Sequence, residues 1–214
     1  MLLPSYSISP TDLWNSIATP QMPQIIDVRR HDVFTHSPHL LPGAVRHEVG
    51  NALHWSDDLD RSRPIVAACK AGHELSQMTA AQLRAAGFDT RVLEGGYTAW
   101  EAAGLPFVAK PVLERIVRRS PSAWVTRRRP KIDRVACPWL IRRFLDPRAR
   151  ILFVDPDQVV AVARESGGVP FDIKDVELSH EGGRCSFDTM LRLFGLECLG
   201  CSGWTASPRW HGWP

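Results

Sequence analysis

Cys69 ends a run of apolar residues, Pro64-Ile65-Val66-Ala67-Ala68, and is followed by Lys70-Ala71-Gly72-His73-Glu74 and then by a helical pattern. A thiol at a strand-to-helix turn meets two influences that favour its anion. Successive backbone N–H groups of a tight turn, eased here by Ala71 and Gly72, curl around the sulfur, and the positive end of the following helix adds to them. The chemistry implied is that of a reactive sulfur. The competing reading is a small hydrophobe closing a buried strand, the usual fate of a free cysteine.

The elements that must hold this turn are legible on both sides of it. Ser9-Pro10-Thr11-Asp12 before Leu13, Trp14 and Ile17 predicts a capped helix with proline at its first position. Residues 24 to 29 and 64 to 69 read as strands, Leu41 to Val45 as a turn into another, and Arg91-Val92-Leu93 as a short one closed by Glu94-Gly95-Gly96. Between them, 74 to 87 predicts a helix ended by Gly87, with Leu75, Met78, Thr79, Leu83 and Ala86 as its core face. Strands alternating with helices imply a parallel sheet, whose ligands bind at the carboxyl ends of strands, where Cys69 lies.

In this order and spacing the pieces resemble the rhodanese-like domain over about residues 8 to 108. The resemblance rests on Asp27 in the first strand motif, His39 with Pro42-Gly43-Ala44, the Cys69 loop, and Glu94-Gly95-Gly96-Tyr97-Thr98-Ala99-Trp100. It implies that Cys69 takes the outer sulfur of a donor, carries it as a persulfide and passes it to an acceptor. Such a cycle needs a thiolate near neutral pH, a cradle of N–H groups and an exposed mouth. Lys70, Ala71, Gly72, His73 and Glu74 form the cradle, and Asp27 and Arg29 support it. A related phosphatase or arsenate reductase has an arginine after five loop residues, to clamp a tetrahedral oxyanion. Leu75 stands there, which argues against phosphoryl chemistry. Sulfurtransferases that prefer thiosulfate commonly carry a basic or hydroxyl residue at the sixth loop position, where this chain has Glu74. A small-molecule or protein-borne persulfide is therefore the expected donor.

At 214 residues and 24.0 kDa the chain has room for one or two domains. Charge favours two: up to residue 110 there are nine Lys and Arg against eleven Asp and Glu, and beyond it seventeen against twelve. No apolar stretch approaches the ~20 residues of a membrane helix, and Met1-Leu2-Leu3-Pro4-Ser5 does not read as a signal peptide, so the expected location is cytoplasmic. The five cysteines, at 69, 137, 185, 198 and 201, do not form a disulfide framework and read as reduced thiols.

Residues 105 to 130 hold Pro106, Pro111, Pro121 and Pro130 between arginine runs and read as an inter-domain connection. From Arg115 to Arg134 eight cations accompany only Asp133, as a solvated face or an anion patch. No helix-turn-helix or zinc-finger pattern goes with them, which argues against a nucleic-acid partner. Beyond lie a helix opened by Cys137-Pro138, a strand at 151 to 154, and a helix from 156 to 166 ended by Gly167-Gly168. The motif from Trp124 to Phe144, Val169-Pro170-Phe171-Asp172-Ile173, and Glu177 to Asp188 resemble the C-terminal domain of chromate-resistance proteins of the ChrB type.

Beside that resemblance, Cys137 and Cys185 each precede a helix start, where the dipole is expected to lower a thiol pKa. Lys131, Arg134, Cys137, Arg142 and Cys185 form a candidate oxyanion and redox set for chromate, a tetrahedral dianion. The alternative is solvated arginines around a packed thiol. His180 and Cys185, with Glu177, Asp188 or Cys137, are a candidate metal set, on weak H-x4-C spacing. From Glu197 the chain loses all period, and the tryptophan-rich tail with Cys198-x-x-Cys201 reads as a shifted frame or truncation.

The expected fold class is α/β: a rhodanese-like parallel sheet flanked by helices at 1–110, a linker at 111–122, a smaller incomplete α+β domain at 123–196, and an irregular tail at 197–214. The expected activity is sulfur transfer through Cys69 without a cofactor. The alternative is a non-catalytic, chromate-responsive thiol or oxyanion-binding protein.

Overall fold

The structure is a computed structural model that describes residues 6–129 and 131–199. The reading of Cys201 and the tryptophans of the tail falls outside these residues. The chain divides into two compact units, one running to Leu105 and including Arg142–Pro147, the other formed by Pro106–Ile141 and residues from Arg148 onward.

The first unit is built on a five-stranded sheet. Its elements in chain order are β1 (Ser7–Ile8), α1 (Pro10–Ile17), β2 (Gln24–Asp27), α2 (His31–His36), β3 (His39–Leu40), β4 (Ala44–Arg46), β5 (Ile65–Ala68), α3 (Glu74–Ala85), β6 (Thr90–Leu93) and α4 (Gly96–Ala102). The strands run parallel in the order β1-β6-β5-β2-β4. All four residues of β5 are buried, as a central strand covered on both faces requires. Ser9 caps α1 by accepting the Asp12 N–H at 3.1 Å, Pro10 sits in the first turn, and Leu13 and Ile17 face the core. On α3 the buried residues are Ser76, Thr79, Ala80 and Leu83, and Leu75 and Ala86 pack beside them. Met78, expected among them, is 37% exposed. The register pairs Asp27 with Ala68, so Asp27 lies one residue before the level of Cys69 at the carboxyl ends of β2 and β5, and on the other face of the sheet from Cys69, which packs with Ile26 and Val28.

The second unit contains β7 (Val108–Ala109), α5 (Lys110–Ile116), β8 (Ala123–Arg127), α6 (Ile132–Leu140), β9 (Arg150–Val154), α7 (Val159–Ser166), β10 (Val169–Pro170) and α8 (Ser186–Leu193). Three of its strands form a parallel sheet in the order β10-β8-β9, with Trp124, Val125 and Phe171 fully buried, so it is a small α/β unit rather than the α+β domain expected.

The stretch read as a connection is largely structured. Pro111 lies in the first turn of α5, where its missing N–H costs nothing, and it starts that helix instead of breaking it. Pro138 does the reverse of what was expected, lying inside α6 and not at a helix start. An internal proline costs about 3 kcal/mol. Burial of Cys137 and Leu140 offsets that cost, and a π-helical turn at Ile141–Leu145 follows. Glu197–Leu199, expected to be irregular, forms a 3-10 turn.

Candidate functional site

Cys69 is 4% exposed, and its sulfur lies 3.2 Å from the Ser76 hydroxyl. His73 is the N-cap of α3 but makes no side-chain cap bond, which leaves the first N–H groups of that helix without an oxygen acceptor from the cap. The sulfur takes that place. Burial pushes the thiol pKa up, but hydrogen bonds from the Ser76 hydroxyl and from the N–H groups of Ser76, Ala71 and His73 outweigh burial and bring it below its ordinary value. The Ser76 hydroxyl also reaches the His73 carbonyl at 3.1 Å. Its hydrogen can point to that carbonyl when Cys69 is a thiol and turn to the sulfur when it is a thiolate. The exposed mouth expected at the sulfur contrasts with the burial of Cys69 itself. Lys70, His73 and Glu74 are exposed around it, and Ala71 and Gly72 are half-buried.

The loop is held from behind by the start of α4. Tyr97 and Thr98 donate their N–H groups to the carbonyls of Cys69 and Lys70 at 3.1 and 2.9 Å. This approach demands glycine. A Cβ on Gly96, whose φ is +57°, would collide with the Cys69 carbonyl, and one on Gly72, at φ +71°, would stand 2.7 Å from the Gly95 nitrogen. Below the loop, Arg29 clamps Asp27 with both Nε and Nη2, at 3.0 and 2.7 Å. The Tyr97 hydroxyl donates to Asp27 at 2.8 Å, and the Arg29 guanidinium lies 3.6 Å over the Tyr97 ring. Both charged residues are buried and fully engaged in joining β2 to α4.

In the second unit the arginine run is not a bare cationic face. Arg127 and Arg134 pair with Asp172, Arg128 with Asp155, and Arg115 with Glu177. These acids lie far along the chain, which is why the run reads as unpaired locally. Of the candidate oxyanion set, Arg134 is buried and committed to Asp172, Lys131 is exposed, and Arg142 clusters with the first unit. Cys137 is 0% exposed, and burial, followed by the carboxylates of Asp133 and Asp172, pushes its pKa far up. Cys185 is the N-cap of α8 as expected, but its pKa is raised too. Burial comes first, and hydrogen bonds to the Asp133 and Asp188 carboxylates outweigh the Asp188 N–H. The lowered values expected from the helix dipole are overturned at both sites, first by burial and then by the acids that face the sulfurs.

Donor atoms of Asp133, Asp172 and His180 lie within 4.8 Å of one another. His180 Nε2 is 3.5 Å from Asp133 and its Nδ1 is 3.8 Å from Asp172, while Cys185 reaches Asp188 at 3.3 Å. Glu177, a candidate ligand by sequence, is instead bound to Arg115, which holds its pKa down. A cavity of about 480 Å³ opens beside His180, lined also by Arg127, Lys174, Asp175 and Ser179.

The rhodanese-like domain family matches residues 9–103, and the family described as ChrB, C-terminal domain, matches residues 124–200. The chain joins a rhodanese-like domain to a ChrB C-terminal domain. Protein ChrB of Cupriavidus metallidurans is 38% identical over 96 residues, which are 40% of this chain and 27% of that protein. The chain thus spans about a quarter of the length of that relative. Among solved structures, a rhodanese-related protein from Thermoplasma volcanium is 21% identical, over 48% of this chain and 97% of that one, with a TM-score of 0.42. A thiosulfate sulfurtransferase from Pseudomonas aeruginosa is 25% identical, over 49% of this chain and 19% of that one, with a TM-score of 0.39.

Three residues that matter to these sites were not singled out from the sequence. In the rhodanese-like domain Ser76 is read from the sequence only as part of a helix, although a hydroxyl in the first turn of a helix that follows a cysteine loop is a usable signal. In the ChrB C-terminal domain the signals were weaker. Asp133 was read only as the one acid within the arginine run, and Asp172 only as part of a motif, because what brings them to His180 is tertiary packing. Among the described residues no helix is long and apolar enough to cross a membrane.

Proposed function

We propose that the chain is a sulfur carrier of the rhodanese type, acting through Cys69. The observation that carries this reading is the ring of uncharged donors, Ser76 Oγ with the Ser76, Ala71 and His73 N–H groups, around one buried sulfur. The Cys69 thiolate attacks the outer sulfur of a persulfide donor. A Cys69–sulfur bond forms, the donor's sulfur–sulfur bond breaks, and the donor leaves as a thiolate. An acceptor nucleophile then takes the outer sulfur, and Cys69 departs as the thiolate it was, so that no net electrons are consumed. The same N–H groups that stabilise the thiolate lie where negative charge sits on the persulfide. Glu74, exposed in the first turn of α3, favours that turn but repels an anionic donor such as thiosulfate at the mouth. A persulfide on a small molecule or on a protein is the donor this arrangement fits.

The match to the ChrB C-terminal domain favours a second reading, a chromate-responsive regulator whose rhodanese-like unit is a thiol module. The burial of Cys137 and the pairing of Arg134 speak against direct capture of chromate by the set containing them. Single-turnover loading followed by mass spectrometry separates the two readings. Wild-type protein is expected to gain one sulfur atom at Cys69 from a persulfide donor, more slowly from thiosulfate, and Cys69→Ser to gain none. Loading that survives Cys69→Ser, or no loading from any donor, would refute sulfur transfer.

A further inference from the structure

The cluster around His180 takes no part in the chemistry of Cys69, and its composition differs from that of a surface acid patch. It gathers an imidazole and two carboxylates, Asp133 in the first turn of α6, Asp172 after β10 and His180, and beside them, against Asp133, lies the Cys185 thiol with Asp188 at the start of α8. Asp172 is oriented by its surroundings. Its Oδ2 lies 3.2 Å from the buried Arg134 Nε and 3.4 Å from Arg127, while Oδ1 accepts from Ser186 at 2.7 Å and faces His180. One oxygen is therefore held by the arginines and the other is presented to the imidazole, which is how an outer ring of partners fixes a ligating carboxylate.

Charge points the same way. Asp172 has its cations, but among the described residues no lysine or arginine forms a salt bridge with Asp133 or Asp188, and the Cys185 thiol lies against both. Asp133 thus faces both a nitrogen and a sulfur donor, and Asp188 faces the sulfur, with no salt-bridged lysine or arginine on either carboxylate among the described residues. Tetrahedral zinc, with bonds of about 2.0–2.3 Å, needs donor atoms roughly 3.5 Å apart. His180 Nε2 and Asp133 Oδ2 stand at 3.5 Å. The imidazole is 58% exposed and borders the cavity, so it can rotate and an ion can enter.

We propose that Asp133, Asp172 and His180, completed by Cys185, bind a borderline divalent cation of the zinc or cobalt class. Mixed oxygen, nitrogen and thiolate donors suit such ions better than magnesium or calcium, which take all-oxygen shells. On binding, the Cys185 proton leaves to solvent, the thiolate becomes the fourth ligand, and the ion ties α6 to α8.

The test is titration of the full chain with cobalt(II), read by absorbance, followed by displacement with zinc(II). One equivalent should bind, with a thiolate-to-cobalt charge-transfer band. Cys185→Ser should remove the band, and His180→Ala and Asp133→Asn should each weaken binding by more than about tenfold. Circular dichroism checks that each variant is folded; the exposed His180 is the one whose loss is least able to disturb the fold. Absence of binding, binding unaffected by His180→Ala, or a wild-type complex without the thiolate band would overturn the assignment.

Discussion

Cys69 and Cys185 both stand at the amino end of a helix, yet their thiols are pushed in opposite directions. Around Cys69 the groups in contact are N–H donors and one hydroxyl, and the pKa falls despite burial. Around Cys185 one N–H is outweighed by burial and two carboxylates, and the pKa rises. The helix dipole alone is worth only about 0.3–1 kcal/mol at exposed termini. What touches the sulfur decides the sign, and a thiol's place in the sequence pattern does not reveal it.

The strongest way to break this contrast is to spoil the geometry that aims the donors. Gly96→Ala forces a left-handed residue to carry a Cβ into the Cys69 carbonyl. The expected outcome is a loss on the order of 2 kcal/mol in urea denaturation, together with loss of persulfide loading. An unchanged midpoint would mean that α4 does not support the loop. A subtler change keeps the geometry and deletes one donor. Ser76→Ala leaves the sulfur with backbone N–H groups alone and is expected to slow loading at neutral pH about tenfold with little effect on stability, since a hydrogen bond to a charged group is worth about 1.5–3 kcal/mol. Loading at the wild-type rate would remove the hydroxyl from the account. At the small end, Arg115→Ala removes an exposed pair with Glu177 and should shift stability by less than about 1 kcal/mol. A larger loss would show that surface pairs weigh as much as charges placed against a buried group.

These two regions also differ in how much of them could be read from the sequence. The Cys69 loop is local. An apolar strand, a small residue, a glycine and a helix lie within a dozen positions, and the flanking strands announce a parallel sheet. Gly95 and Gly96 were visible as a motif, though not as the surface on which the loop rests. In the second domain the decisive contacts span long sequence distances: Arg127 meets Asp172, and Asp133 meets His180. Read locally, Arg134 is a free cation and Cys137 opens a helix. In the fold Arg134 is a buried partner of Asp172, and Cys137 is packed inside α6, because Pro138 is tolerated where the burial around it offsets a lost hydrogen bond. Proline position and charge pairing are the two features that neighbouring sequence predicts least well once tertiary packing competes.

The most direct test is the pH dependence of Cys69 alkylation in the native chain, followed residue by residue by mass spectrometry. The thiolate is the reacting form, so the rate is high above the folded-state pKa and is lost as pH falls through it. Because the pKa is lowered, the midpoint should lie below that of an unstructured cysteine peptide alkylated under the same conditions, and Ser76→Ala should move it upward. A midpoint at or above that of the peptide would contradict the account, because the N–H and hydroxyl cradle would then not be stabilising the thiolate on which sulfur transfer through Cys69 depends.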